Sequence, residues 1–145
     1  MARAELWEFL RRRRSEGMAV LASTHDLSEA EAYADRLLVL HGGRLVLQGA
    51  VDDVLGLAGG RWRLRLIGVE PSVDAWARAH DVELVEAGDT RVLIADQRTV
   101  TAVGDQIEAA RDGGELRYQD ILKGPIRLED VFAEAVSQLK QEVAR

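Results

Sequence analysis

Met18-Ala19-Val20-Leu21-Ala22-Ser23-Thr24-His25-Asp26-Leu27-Ser28-Glu29-Ala30-Glu31 carries three structural signals in one passage. Its first five residues are apolar without alternation, the pattern of a strand buried on both faces in a parallel sheet. Ser23 to Asp26 follow as a polar loop. Ser28-Glu29-Ala30-Glu31 then has the form of a capping box, in which Ser28 accepts from the Glu31 amide and Glu31 reaches back. The helix it opens is expected to run to about Asp35. A histidine between a buried strand and a helix start stands where an α/β protein presents groups to a ligand.

Upstream, Ala2 to Glu16 place Leu6, Phe9 and Leu10 on one helical face, with Trp7 at its edge. Arg11 to Arg14 fall in the last turn of that helix, where cations complement the dipole, and Gly17 is positioned to end it. Downstream, Leu37 to Leu40 and Arg44 to Gln48 predict two strands joined by the glycine turn at His41-Gly42-Gly43. A short helix over Val51 to Leu57 closes this half, and Gly59-Gly60 marks a boundary. His41 reads as a turn residue and His80 as a helix-end residue, both structural.

The pattern then changes. Trp62, Leu64 and Leu66 alternate with Arg61, Arg63 and Arg65, the mark of a half-exposed strand. Pro71 and Ser72 introduce a helix to about His80, with Val73, Trp76 and Ala77 inward. Val82 to Val85 and Arg91 to Ala95 flank Glu86 to Thr90 as a hairpin. A helix over about Thr99 to Arg111 and a strand over Glu115 to Ile121 follow. The order strand–helix–strand–strand–helix–strand predicts a ferredoxin-like βαββαβ unit, with two helices on one face of an antiparallel sheet. Pro125 breaks the chain before an amphipathic helix over about Leu128 to Val143, with Val131, Phe132, Ala135 and Leu139 as its stripe. The fold class is therefore α/β (α+β), in two units: 1–58 and 61–145.

Composition narrows the function classes. The net charge of −6 disfavours nucleic acid or an anionic membrane as partner, and 47% apolar residues suit a packed core. With no cysteine, disulfides and thiolate chemistry are excluded. Met18 to Ala22 is the longest apolar run, far short of the roughly 20 residues that cross a bilayer. The N-terminal residues lack the apolar core of a signal peptide. A cytoplasmic chain is the expectation.

The stretch Ser23 to Ala32, continuing through Asp35-Arg36-Leu37-Leu38-Val39-Leu40-His41-Gly42-Gly43-Arg44 to Gly49, resembles the switch loop and following hairpin of ATP-binding-cassette (ABC) transporter ATPases. Ala2 to Trp7 is similar to the helix after that family's D-loop. Leu128-Glu129-Asp130-Val131-Phe132 resembles a motif that precedes the last helix of the C-terminal accessory domain in some bacterial exporter subunits. The resemblance implies that His25 is the switch histidine, which contacts the γ-phosphate in a complete subunit. Imidazole suits this role, since it can donate from one nitrogen and titrates near neutral pH. Asp26 caps or orients the loop. Glu129 and Asp130 suit a first helical turn, and Val131 and Phe132 dock the helix.

The rest of an ATPase site is missing from these residues. A phosphate-binding loop needs Gly-x-x-x-x-Gly-Lys-Ser/Thr, and neither Lys123 nor Lys140 precedes Ser or Thr. No signature motif is present. Val92 to Asp96 imitates a Walker B strand, but it follows His25 instead of preceding it and no glutamate comes next. The resemblance thus implies the C-terminal portion of an ATP-binding subunit whose complete form uses ATP and Mg and works with membrane-spanning subunits and a second ATPase subunit. This chain alone is expected to be non-catalytic, to bind no cofactor, and to self-associate through residues 1–58. The alternative is a regulatory or dimerisation module built on residues 61–145.

Overall fold

A computed structural model describes residues 2–56, 60–70 and 72–144. Leu57, Gly59 and Pro71, invoked above for a helix end, a boundary and a helix start, lie outside the described residues. The described residues are mixed α/β, with six helices and two antiparallel sheets among them.

Helix α1 (Arg3–Ser15) ends as Gly17 dictates. Gly17 takes φ 93°, its amide donates to the Arg14 carbonyl at 2.9 Å, and the Met18 amide donates to the Arg13 carbonyl at 3.1 Å. That pair of bonds is a Schellman close, and the positive φ is why glycine stands there. The arginine run is solvated as expected: Arg13 pairs with Glu16 and lies over the Phe9 ring, and Arg14 pairs with Asp35.

The strand expected at Met18 to Ala22 does not form. Residues 18–24 are irregular, and Leu21 is 95% exposed. Apolar composition cannot make a strand by itself, because the backbone amides and carbonyls need a neighbouring strand to satisfy them. Among the described residues no strand pairs with the run.

Helix α2 (Leu27–Tyr33) also corrects the sequence reading. Its N-cap is Asp26, in extended backbone, not Ser28. Asp26 lies one residue ahead of the helix and so reaches its first free amides. Glu31 does not fold back to close a capping box; its carboxylate binds the far end of the chain.

Strands β1 (Arg36–His41) and β2 (Arg44–Ala50) pair around Gly42-Gly43, which adopt φ 55° and 74°. Two consecutive positive φ values give the turn twist that matches a hairpin, and glycine permits them without strain. Helix α3 (Val51–Gly56) folds back so that Val51 and Val54 are buried with Leu37.

The larger sheet contains β3 (Trp62–Ile67), β4 (Glu83–Ala87), β5 (Thr90–Ala95) and β6 (Asp120–Pro125), ordered β4-β5-β3-β6 and antiparallel throughout. The β4–β5 turn is tighter than expected, with Gly88-Asp89 at its tip. The fourth strand begins at Asp120, later than the predicted Glu115, and Pro125 is its last residue instead of a break. As an edge strand, β6 tolerates a residue without an amide hydrogen. Helices α4 (Asp74–Ala79) and α5 (Gln97–Asp112) cover one face, where Leu64, Leu66, Leu93, Val103 and Ile107 form the main core.

The opposite face is not open to solvent, as the arginine alternation had suggested. Helix α6 (Leu128–Val143) lies across it, and Val85, Val92, Ile94 and Ile126 are buried there against Val131 and Ala133. The same helix sends Leu128 into the cluster of Leu37, Val51 and Val54. Phe132 meets the His41 ring edge-on at 5.8 Å. One helix therefore packs on both sheets.

Candidate functional site: the His25 loop and its supports

The loop around His25 is built by short polar side chains. Thr24 Oγ1 accepts from the Asp26 amide at 3.0 Å and donates to Glu29 Oε2 at 3.0 Å. Asp26 Oδ1 accepts from the amides of Ser28 at 3.0 Å and Glu29 at 3.3 Å. The Ser28 hydroxyl's hydrogen bond holds the Asp26 carboxyl below the ordinary carboxylate value, with the Glu29 amide adding to it. Glu29 in turn pairs with Arg3 of α1, Nε to Oε1 at 3.0 Å. His25 sits between these two anchors, exposed, at the mouth of α2.

The back of α2 is tied to α6. Arg127 Nη1 donates to Glu31 Oε1 at 2.8 Å, and the Leu128 amide donates to Glu31 Oε2 at 2.9 Å. Leu128 is the first residue of α6, whose N-cap residue, Arg127, has no capping side chain of its own. Glu31 therefore caps a helix 97 residues away. Its partner's guanidinium pKa is raised, first by the hydrogen bond to Glu31 and then by that carboxylate's charge.

Three arginines of the large sheet complete the support of α6. Arg63 Nη1 donates to Asp130 Oδ1 at 2.9 Å, with the Asp130 side chain only 3% exposed. Asp130 Oδ2 accepts from the Arg127 amide at 2.8 Å. Arg61 bridges Glu83 of β4 and Glu134 of α6, at 2.8 and 3.1 Å, and Arg65 lies 3.7 Å from Glu129. The residue expected to serve the helix dipole, Asp130, also neutralises the sheet beneath it. Sequence reading assigned Glu31 to the start of its own helix and had no signal for its place on α6 or for the arginine ladder, because Glu31 and Leu128 are 97 residues apart and Arg63 and Asp130 are 67.

Lys123 is engaged by Asp105 and Glu108 on the surface of α5, at 3.3 and 3.5 Å, and no glycine-rich loop presents it. Among the described residues no group of three His, Cys, Asp or Glu side chains could hold a metal ion. A shallow depression of about 640 Å³ opens beside the start of α5, lined by Asp96, Gln97, Arg98, Thr101, Ala102 and Asp105, away from His25. His41 and His80 are accounted for structurally, by Phe132 and by Gln106. No helix among the described residues is long and apolar enough to cross a membrane.

No protein-family model matches the chain. It is 32% identical over 137 residues to the Nod factor export ATP-binding protein I of Neorhizobium galegae, covering 90% of this chain and 36% of that protein. Over 135 residues it is 33% identical to the protein of the same name from Rhizobium etli, covering 90% of this chain and 39% of that one. It is 34% identical over 139 residues to the daunorubicin resistance ATP-binding protein DrrA2 of Streptomyces coeruleorubidus, covering 90% and 42%. The chain belongs with the ABC ATP-binding subunits. It corresponds to their C-terminal portion and spans between 36% and 44% of the length of the relatives it matches. Both halves share in the likeness, since about nine-tenths of the chain aligns.

Proposed function

We propose that this chain is the switch-loop and accessory portion of an exporter ATP-binding subunit. In the complete subunit His25 contacts the γ-phosphate of ATP held with Mg, and hydrolysis there is coupled to transport through membrane-spanning subunits and a second ATPase subunit in the cytoplasm. The observation that carries this reading is the His25 loop itself: a short polar turn pinned by Thr24 and Asp26, with the imidazole left outward at the mouth of α2. A γ-phosphate contact needs a donor that is oriented but not consumed by the protein.

By itself the chain is non-catalytic, because phosphoryl transfer relies on several positioned charges and this chain supplies one donor. Residues 61–145 form the accessory unit of ferredoxin-like fold. The strand order β6-β3-β5-β4 with α4 and α5 on one face supports that assignment. Residues 1–58 form the ATPase-core unit, with α6 bracing both.

Titration calorimetry with Mg-ATP tests the reading. The chain alone should give no binding heat. A subunit completed with the phosphate-loop portion should bind and hydrolyse ATP, with His25→Ala lowering kcat by about 10²-fold or more. Saturable Mg-ATP binding by the chain alone overturns the non-catalytic assignment, and a His25→Ala subunit of unchanged kcat overturns the switch role.

A second reading, self-association, is favoured by the exposed apolar side chains of residues 1–58. Leu38, Leu40 and Leu45 of the hairpin are 66%, 70% and 49% exposed, beside Met18 and Leu21. An apolar patch on strands with free edges invites pairing with another copy.

A further inference from the structure

The capping of α6 by Glu31 joins the two halves of the chain at the helix that carries the His25 loop. We propose that Glu31 is a positioning residue for that loop, through which the seat of α6 on the accessory sheet sets the placement of His25.

Three observations converge on this coupling. First, the Glu31 carboxylate is only 16% exposed, and both its oxygens are used, one by the Arg127 guanidinium and one by the Leu128 amide. A carboxylate at a helix N-terminus is favoured by the aligned peptide dipoles, more so when water is largely excluded. Second, α2 is short, and its N-cap, Asp26, directly follows His25. A displacement of Glu31 therefore moves the capped turn as one piece. Third, the N-terminus of α6 is itself anchored to the large sheet, by Asp130 on Arg63 and by Glu134 on Arg61. Charge-assisted bonds thus run from β3 through Asp130 and Arg127 to Glu31, and the backbone of α2 connects Glu31 to the Asp26 cap. Helix α1 also reaches α2, by Arg3 on Glu29 and by Trp7 stacked on Tyr33, but none of its side chains is buried.

Such coupling has a direction-free signature, because linkage between two sites is reciprocal. Loosening α6 must loosen the His25 loop, and loosening the Asp26 cap must loosen the first turn of α6. The coupling stands on this chain's own contacts; only its regulatory meaning, an accessory unit acting on a switch histidine, rests on the proposed function.

Hydrogen exchange and NMR on the 145-residue chain without nucleotide test it. In Glu31→Gln, which keeps a hydrogen-bond acceptor but loses the charge, amides of Ala30 to Tyr33 should exchange about tenfold faster, the scale of one charge-assisted bond. Amides of Leu64 and Leu93 should keep their protection. The His25 ring signal, assigned by its loss in His25→Gln, should shift in the same variant. Arg127→Met, a change at an exposed side chain, should act in the same sense if Glu31→Gln is too unstable to measure. In the reverse direction, Asp26→Ala should speed exchange at Val131 and Phe132. An unmoved His25 signal in both Glu31→Gln and Arg127→Met, or unchanged Val131 and Phe132 exchange in Asp26→Ala, overturns the proposal. Because no nucleotide enters these measurements, a failure of the ATPase reading leaves their outcome intact.

Discussion

Glu134 shows how a single residue can be read wrongly from its neighbours in sequence. On α6 it occupies the polar side of an amphipathic helix, where a glutamate is ordinarily solvated. In the fold it is half-buried against Arg61, with Glu83 on the other side of that guanidinium. Burial raises its pKa above the ordinary 4.5, the Glu83 charge adds to the rise, and Arg61 opposes both. A carboxyl whose folded pKa is raised contributes stability that is fully present below 4.5 and is lost as pH climbs through the folded value. Above that window the ionised form works against folding. Glu134→Gln should therefore unfold at higher denaturant concentration than the parent at pH 7, with the gap closing at pH 4. Urea unfolding at the two values checks this; a gap of equal size at both refutes it.

At the scale of the element, α6 decides most. Its apolar stripe and bounds were legible from periodicity and turn residues, and the docking of Val131 and Phe132 from the motif that opens the helix. Its acidic first turn was legible only in part. Asp130 is the buried hinge of that turn, bonded at once to Arg63 and to the Arg127 amide. Its removal leaves a guanidinium facing a largely dry interface and an uncapped amide. Asp130→Ala should cost about 3 kcal/mol of stability, the range for breaking one side of a buried pair. Chemical unfolding followed by tryptophan fluorescence measures it, and a loss as small as a surface pair would sink the assignment. The β1–β2 hairpin was equally legible, because its twin-glycine turn is a local instruction. The fourth strand was misplaced by five residues at its start, since Leu116 is buried ahead of it and Arg117 pairs with Glu70 as an isolated bridge outside the strand.

Over the whole molecule, the apolar side chains divide into two populations. Those of residues 61–144 are mostly inside, in clusters on both faces of the large sheet. Many of those in the front half are outside: Leu6, Phe9, Met18, Val20, Leu21, Leu38, Leu40 and Leu45. The purified chain should consequently run larger than 16.0 kDa by light scattering, and Leu38→Glu with Leu40→Glu should return it to monomer. A clean monomer at high concentration refutes this.

By itself the sequence determined what local chemistry controls: the helix end at Gly17, the glycine hairpin, the alternation of β3, the amphipathic α6, and the loop that carries His25. Periodicity and turn chemistry act over a few residues, so they survive without tertiary context. Only the tertiary structure decided that Met18 to Ala22 would remain unpaired, that the arginine face of β3 would be covered, and that Glu31 would cap α6. Each of these depends on a partner distant in sequence, present or missing. Hydrogen bonds and ion pairs are satisfied in space, and nothing in the local pattern records who satisfies them.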